Sequence, residues 1–195
     1  IKTWSEFNAY SKNILEIGLN VPVAYHENWI SKNLEPDVKD IEEEVSSLNF
    51  KLFIDGSEVR KPIVYNHSSK SLISRFIFEG KHVSANGYFY AQDSVIRPQE
   101  LQGVLIRIRN AAVGEYDPSF MSFTSSIGPL FQSWISGEII ADDRLEEAMN
   151  IDRRTLRIAH PAYVELQGEL HKHISNLIKK VRLTIYGAKN RERNV

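Results

Sequence analysis

The amphipathic segment between residues 161 and 186 constrains the fold more than any other part of this sequence. Pro161 predicts its start, because proline is favoured at the first position of a helix. Behind it, apolar side chains recur at three-to-four spacing, which marks one face of a helix. These side chains are Tyr163, Leu166, Leu170, Ile174, Leu177, Ile178 and Val181. A stripe of this length must be buried against another element, so we expect a second layer that the helix covers.

Alternating apolar residues between positions 48 and 110 predict that second layer. A period of two is typical of strands, and Asp55-Gly56 is a typical hairpin turn. Three longer strands are predicted at residues 72–79, 83–92 and 102–110. We therefore expect an antiparallel sheet of about five strands in this part of the chain.

Two further elements are predicted before the long helix. Asp117-Pro118 indicates a helix start, with Asp117 as the cap and Pro118 at the first helical position. Residues 126–135 suggest one or two buried helical turns, and residues 137–140 a strand. The fold class expected is therefore α+β. A mainly antiparallel sheet is followed by a strand–helix–strand unit and a long C-terminal helix, in two layers.

Residues 1–47 are predicted to form a helical connector to a main domain at 48–186. A helix is expected over residues 3–17, capped by Thr3 or Ser5 and ended by Gly18. Residues 31–45 are acidic and poor in apolar side chains, which favours a solvated helix or linker. The polar tail at 187–195 is expected to be disordered.

Composition excludes several classes of function. With 195 residues and 42% hydrophobic side chains, the chain can bury a sizeable core. A net charge of -1 argues against a dedicated nucleic-acid binder, and the lack of cysteine excludes disulfides and thiolate chemistry. The acidic run lacks the ligand spacing of a calcium loop, and His171 and His173 would face apart on a helix. We therefore expect no metal site, no membrane span and a cytoplasmic setting.

The stretch after the predicted strand at 137–140 carries the most specific chemistry. A short acidic helix is expected to stop at Asn150, where an Asn-Ile-Asp turn caps a helix start and presents Arg153 and Arg154. Guanidinium groups on a rigid base suit the binding of phosphate. In the alternative interpretation, the two arginines form surface ion pairs with nearby carboxylates. Those carboxylates belong to Asp142, Asp143, Glu146 and Glu147.

The strand predicted at 102–110 carries two further arginines on one face. Side chains two positions apart in a strand point the same way, so Arg107 and Arg109 are expected together. They could face a phosphate, although a solvated outer face is the more common arrangement.

These segments resemble the middle domain of the GHKL ATPases, which include gyrase, heat-shock chaperones, histidine kinases and MutL. The chaperone branch is the closest. In that family an Arg-Val-Phe-Ile-type strand is followed by a helix, by Gly-Val-Val-Asp and by Leu-x-Leu-Asn-x-Ser-Arg. This chain offers Arg107-Ile108-Arg109-Asn110, Gly137-Glu138-Ile139-Ile140 and Asn150-Ile151-Asp152-Arg153. It departs from the family pattern at Asp152, where the family has Ser, at Arg157, where the chaperones have Gln, and in a few additional residues before Asn150.

The resemblance implies a role in ATP hydrolysis. The family's arginine reaches the γ-phosphate of ATP that is bound with Mg²⁺ on the preceding domain, and by position that role falls on Arg153. Asn150 would support the turn. Further candidates for nucleotide contact are Arg107, Arg109, Arg154 and Arg157. The sequence contains ten glycines but no Asp-x-Gly-x-Gly loop, so we expect the ATP-binding domain to lie outside this chain.

The resemblance also implies partners. Because the sequence begins with Ile1, we expect a piece of a longer polypeptide whose upstream ATPase domain is the first partner. A homodimer and a client protein are further partners. The chain alone is expected to be inactive. The alternative is a nucleic-acid-handling transducer, as in the gyrase and MutL branches, or a protein-interaction module; the basic residues between Lys172 and Arg182 are its support. A stand-alone hydrolase is disfavoured, because no Gly-x-Ser-x-Gly motif is present.

Overall fold

The computed structural model describes residues 7–21, 23–24, 50–60, 71–97, 99–109, 111–124 and 131–186. Its helices are α1 (Ala9–Asn20) and α2 (Pro161–Val181), and a π-helical segment, Arg182–Tyr186, continues α2. Short 3-10 helices lie at Gln99–Leu101 and Asp143–Ala148. The strands are β1 (Leu52–Ile54), β2 (Ser57–Val59), β3 (Ser71–Glu79), β4 (Ser84–Gln92), β5 (Gly103–Ile108), β6 (Ala111–Ala112) and β7 (Ile135–Ala141). The α+β class is confirmed. The residues predicted for the acidic linker and for the C-terminal tail lie outside the described ones.

The main sheet is mixed rather than wholly antiparallel as expected for residues 48–110, although three of its four strand pairs are antiparallel. Its five strands run in the order β3-β4-β7-β5-β6. Neighbouring strands are antiparallel except for β5 and β7, which are parallel, with Leu105 opposite Glu138. β4 and β5 follow one another in the sequence but are not neighbours in the sheet. In the structure β7 lies between them and supplies the inner partner of both.

The hairpin at residues 52–59 was predicted correctly but does not belong to this sheet. β1 and β2 pair only with each other, as a two-stranded sheet. Asp55 and Gly56 form the turn with positive φ angles of 50° and 77°, as a turn between two twisted antiparallel strands requires.

Helix α2 covers one face of the main sheet with the predicted stripe. All seven stripe residues are buried. They share a core with the sheet residues Phe89, Ile106 and Ile139. The long helix and the layer that it forms on the sheet are therefore confirmed. The apolar side chains recur at helical spacing, so they lie on one face of the helix, and that face is the buried one.

The opposite face of the sheet meets the end of α1. This helix begins after Asn8, whose side chain accepts a hydrogen bond from the Ser11 N–H at 2.8 Å. It ends at Asn20, with Gly18 buried inside it, so the predicted end at Gly18 was wrong. Leu19 packs with Tyr90, on β4, in a second apolar cluster.

The helix predicted to start at Asp117-Pro118 is a turn. Asp117 does act as a cap, because its carboxylate accepts hydrogen bonds from the Ser119 and Met121 N–H groups. However, Phe120, Met121 and Ser122 all have positive φ, between 51° and 64°. A right-handed helix cannot continue through three left-handed residues. Gln167 and His171, on α2, bond to the carbonyl groups of this turn and hold it in place.

The connection that leads back to β7 is described only in part. Phe131 and Gln132 form a short helical turn before the strand. Residues 125–130, where part of the predicted helical turns falls, lie outside the described residues. No helix among those described is long and apolar enough to cross a membrane.

Candidate functional site: the arginine loop

The segment Met149–Leu156, called the arginine loop below, follows the short 3-10 helix Asp143–Ala148. Met149 and Leu156 form an isolated antiparallel bridge that closes its base. Inside the loop, the Asn150 N–H donates to the Thr155 carbonyl at 2.9 Å, and the Asn150 side-chain amide donates to the Thr155 hydroxyl at 2.8 Å. The loop is therefore a closed, hydrogen-bonded unit, and the prediction that a helix starts at this turn was wrong.

Asp152 stabilises the far side of the loop. Its carboxylate accepts hydrogen bonds from the N–H groups of Arg154, at 2.9 Å, and Thr155, at 3.2 Å. These contacts, first of all the one from the Arg154 backbone, lower the pKa of Asp152. Such a carboxylate turn is typical of aspartate followed by polar residues.

Arg153 is held in an unusual backbone conformation at the tip of this loop. Its φ is 54°, and its N–H donates to the Asn150 carbonyl at 3.0 Å. A left-handed conformation costs a residue other than glycine about 1–2 kcal/mol. The surrounding hydrogen bonds must therefore hold Arg153 in this conformation. Together with Glu146, Met149, Asn150 and Ile151, Arg153 lines an open groove.

The surface ion pairs proposed as the alternative interpretation for Arg153 and Arg154 are not formed. Within the described residues, neither side chain has a hydrogen bond or an ion pair. Three of the four carboxylates expected to pair with them bind other arginines: Asp142 binds Arg144, and Asp143 and Glu146 bind Arg109. In the part of the chain that the structure describes, neither guanidinium group of the loop is therefore held by an ion pair.

Arg109 lies beside the loop, but its guanidinium is paired with carboxylates. Its guanidinium forms a bidentate pair with Asp143, at 2.9 and 3.1 Å, and a further contact with Glu146 at 3.1 Å. The Asp143 contact is the main cause of a raised pKa for Arg109 and of a lowered pKa for Asp143. Arg157 is also engaged, because its N–H donates to the Ala148 carbonyl and its guanidinium bonds to the Glu147 carbonyl. These two arginines fix the base of the site.

Arg107 lies outside the site, so neither interpretation of the strand arginines holds for this residue. Its side chain is completely buried, and its Nε donates to Glu138 at 2.6 Å. A second guanidinium nitrogen donates to the Leu19 carbonyl, at the end of α1, at 2.7 Å. Glu138 also accepts a hydrogen bond from the Tyr116 hydroxyl at 3.1 Å. The face expected to be solvated or to bind phosphate is instead the buried second face of the sheet.

Two features, one in the arginine loop and one in the sheet, were not predicted. Ile151, next to the arginines, is fully exposed. Glu138 is the buried counter-charge of Arg107, and a signal for it existed, since each of two apolar strands contains one charge of opposite sign. Among the described residues, no group of three or more metal-ligating side chains could hold a metal ion.

Comparison of the chain with protein-family models gives no match, and neither does comparison with curated proteins.

Proposed function

We propose that this chain is a coupling domain of a larger, chaperone-like ATPase in the cytoplasm. In this proposal Arg153 contacts the γ-phosphate of ATP bound on an upstream domain of the same polypeptide. The observation that carries the proposal is the state of Arg153: its guanidinium is exposed and without a partner among the described residues, on a loop whose backbone is fixed. The resemblance to the GHKL middle domain assigns the same residue by position.

The chemistry required of Arg153 is electrostatic. A guanidinium aimed at the transferring phosphoryl group stabilises the charge that develops on its oxygens. An arginine of this kind accelerates phosphoryl transfer by roughly 10³- to 10⁵-fold in phosphoryl-transfer enzymes generally. We expect a smaller effect here, because chaperone-type ATPases are slow. ATP and Mg²⁺ would be held by the upstream domain.

The rest of the loop would position Arg153. Asn150 and Asp152 fix the backbone on either side of it through the hydrogen bonds to Thr155. Arg157 and Arg109 anchor the base, and Arg154 is the one other candidate in the loop with an unpaired guanidinium within the described chain. Movement of the loop on nucleotide binding would then be transmitted through the 3-10 helix Asp143–Ala148 to β5, which it contacts, and so to a client.

The experiment that tests this proposal compares Arg153→Ala with Arg154→Ala in the full-length protein. We expect Arg153→Ala to lower steady-state ATP turnover at least tenfold, equivalent to about 1.4 kcal/mol of transition-state stabilisation. The nucleotide affinity should change little. Arg154→Ala removes an equal charge from the same loop and should retain most of the turnover. Unchanged turnover in Arg153→Ala, or an equal loss in both variants, would contradict the proposed role.

A further inference from the structure

The tip of the arginine loop combines an apolar side chain with two available charges. Ile151 is fully exposed, whereas most apolar residues of the described chain are covered at least in part. Arg153 and Arg154, which follow it, have unpaired guanidinium groups among the described residues. An apolar anchor beside arginines on a rigid loop is the composition of a binding hot spot, and rigidity lowers the entropy lost on association.

A complementary cleft lies elsewhere on the same chain, between the end of α1 and β5. Its apolar lining comes from Leu19, Leu105 and Tyr116. Glutamates contributed by three different segments surround this lining: Glu16, Glu100 and Glu115. The cleft has a volume of about 170 Å³, several times the roughly 30 Å³ that one water occupies in the liquid. It can therefore admit a branched aliphatic side chain and surround it with negative charge.

The loop and the cleft are neighbours on the molecular surface. A Cβ placed on Gly114 would lie only 2.5 Å from the Arg154 carbonyl oxygen, so the two backbones touch. The next two residues, Glu115 and Tyr116, already line the cleft. When two complementary surfaces lie side by side, a two-fold axis can bring each into contact with its counterpart on a second copy, and the assembly closes as a dimer.

We propose that a second copy of this chain occupies the cleft, in a reciprocal dimer. Ile151 of each copy enters the apolar cleft of the other, and Arg153 and Arg154 lie against the glutamates. Complementary charge selects this occupant, because the cleft carries three carboxylates and the loop two guanidinium groups that form no hydrogen bond or ion pair within the described residues. The contact is small, so the dimer should be weak and dependent on concentration.

This inference does not rest on the proposed ATPase role. It requires no nucleotide, and it would hold if Arg153 never met a phosphate. If both are correct, the dimer covers Arg153, so dimerisation and phosphate contact exclude each other.

The test is sedimentation velocity of the 195-residue chain over a range of protein concentrations. Ile151→Asp places a carboxylate in an acidic cleft and should raise the dimer dissociation constant at least tenfold. The control is Val164→Asp, which introduces the same charge at a half-exposed apolar position on α2. It should leave the dimer dissociation constant within about twofold of the value for the unmodified chain. Added salt should weaken the unmodified dimer, since part of the contact is between charges.

A charge exchange identifies the cleft as the occupied surface. Arg154→Glu and Glu115→Arg should each weaken the dimer, and the double variant should recover it. Three results would overturn the proposal: a chain that is monomeric at every concentration, a dimer that Ile151→Asp leaves intact, and a dimer that Ile151→Asp breaks but charge reversal in the cleft does not affect. Circular dichroism of each variant establishes that it is folded.

Discussion

Arg107 and Arg153 are the same residue type in opposite environments. Arg107 is completely buried, and its guanidinium binds Glu138 and the Leu19 carbonyl. Arg153 is exposed, and its guanidinium binds no other described residue. A buried guanidinium has to be paired, since removing a charge from water costs several kcal/mol. An exposed one can remain unpaired, and only that kind is available to a ligand.

The largest expected effect comes from breaking the buried pair. Arg107→Ala leaves the Glu138 carboxylate without its counter-charge and should lower the free energy of unfolding by about 3–5 kcal/mol. Denaturation by urea, followed by circular dichroism, measures the loss. In the control, Arg107→Met combined with Glu138→Leu removes both charges and should recover most of that stability. A single variant as stable as the parent chain would mean that the buried pair contributes nothing.

Glu165 is half-buried and so lies between the buried Arg107 and the exposed Arg153 in its exposure to solvent. Its carboxylate makes the free energy of unfolding depend on pH. Glu165, on α2, accepts hydrogen bonds from the N–H groups of Lys81, His82 and Val83, at 3.0, 2.7 and 3.2 Å. The bond from His82 is the main cause of a lowered pKa for Glu165. Because the folded pKa lies below the ordinary value of 4.5, the contribution to stability is complete above that value and is lost as pH falls towards the folded pKa.

We therefore expect Glu165→Gln to destabilise the chain at neutral pH and much less in acid. The measurement is urea unfolding of both proteins at about pH 7 and about pH 3. Glu169→Gln is the control, since the Glu169 carboxylate lies on the same helix and forms its ion pair with the exposed Lys172. If the free energies of unfolding of the Glu165 variant and the parent chain differ by the same amount at both pH values, this account is contradicted.

The smallest effect is expected at Arg153. Arg153→Ala removes no contact to a described residue and keeps a left-handed residue other than glycine, so the free energy of unfolding should change by less than about 0.5 kcal/mol. The same urea titration measures it. A loss as large as that of Arg107→Ala would show that the side chain has a structural role, and a loss of ATP turnover could then not be assigned to phosphate contact.

The parts of the fold that were predictable from sequence are those set by local periodicity. The stripe of α2 follows from a spacing of three to four, and its burial agrees with that spacing. The strands β3 and β4 lie close to the positions predicted from a spacing of two. The Asp55-Gly56 turn follows from residue chemistry. Each of these signals lies within about 20 residues of chain, which is the range over which a pattern can report structure.

The features that were not predicted depend on contacts between distant parts of the chain, or on residues whose type does not indicate their conformation or burial. The position of β7 depends on pairing with strands far away in the sequence. The turn at Phe120–Ser122 has positive φ without any glycine, so composition gives no sign of it. Arg107 was placed on an open face because alternation normally separates core from solvent, whereas all six residues of β5 are buried. The arginine loop was located correctly, but its closure by Asn150 and Thr155 was not predicted.

The strand order has a consequence for synthesis on the ribosome. β4 and β5 each use β7 as their inner partner, and β7 ends at Ala141. Chains emerge from the N-terminus at roughly 5–20 residues per second. For the several seconds that separate Ile108 from Ala141, both strands therefore have open backbone edges that a neighbouring nascent chain could pair with. Newly made molecules pass through this interval before the sheet can close, whatever the stability of the finished fold.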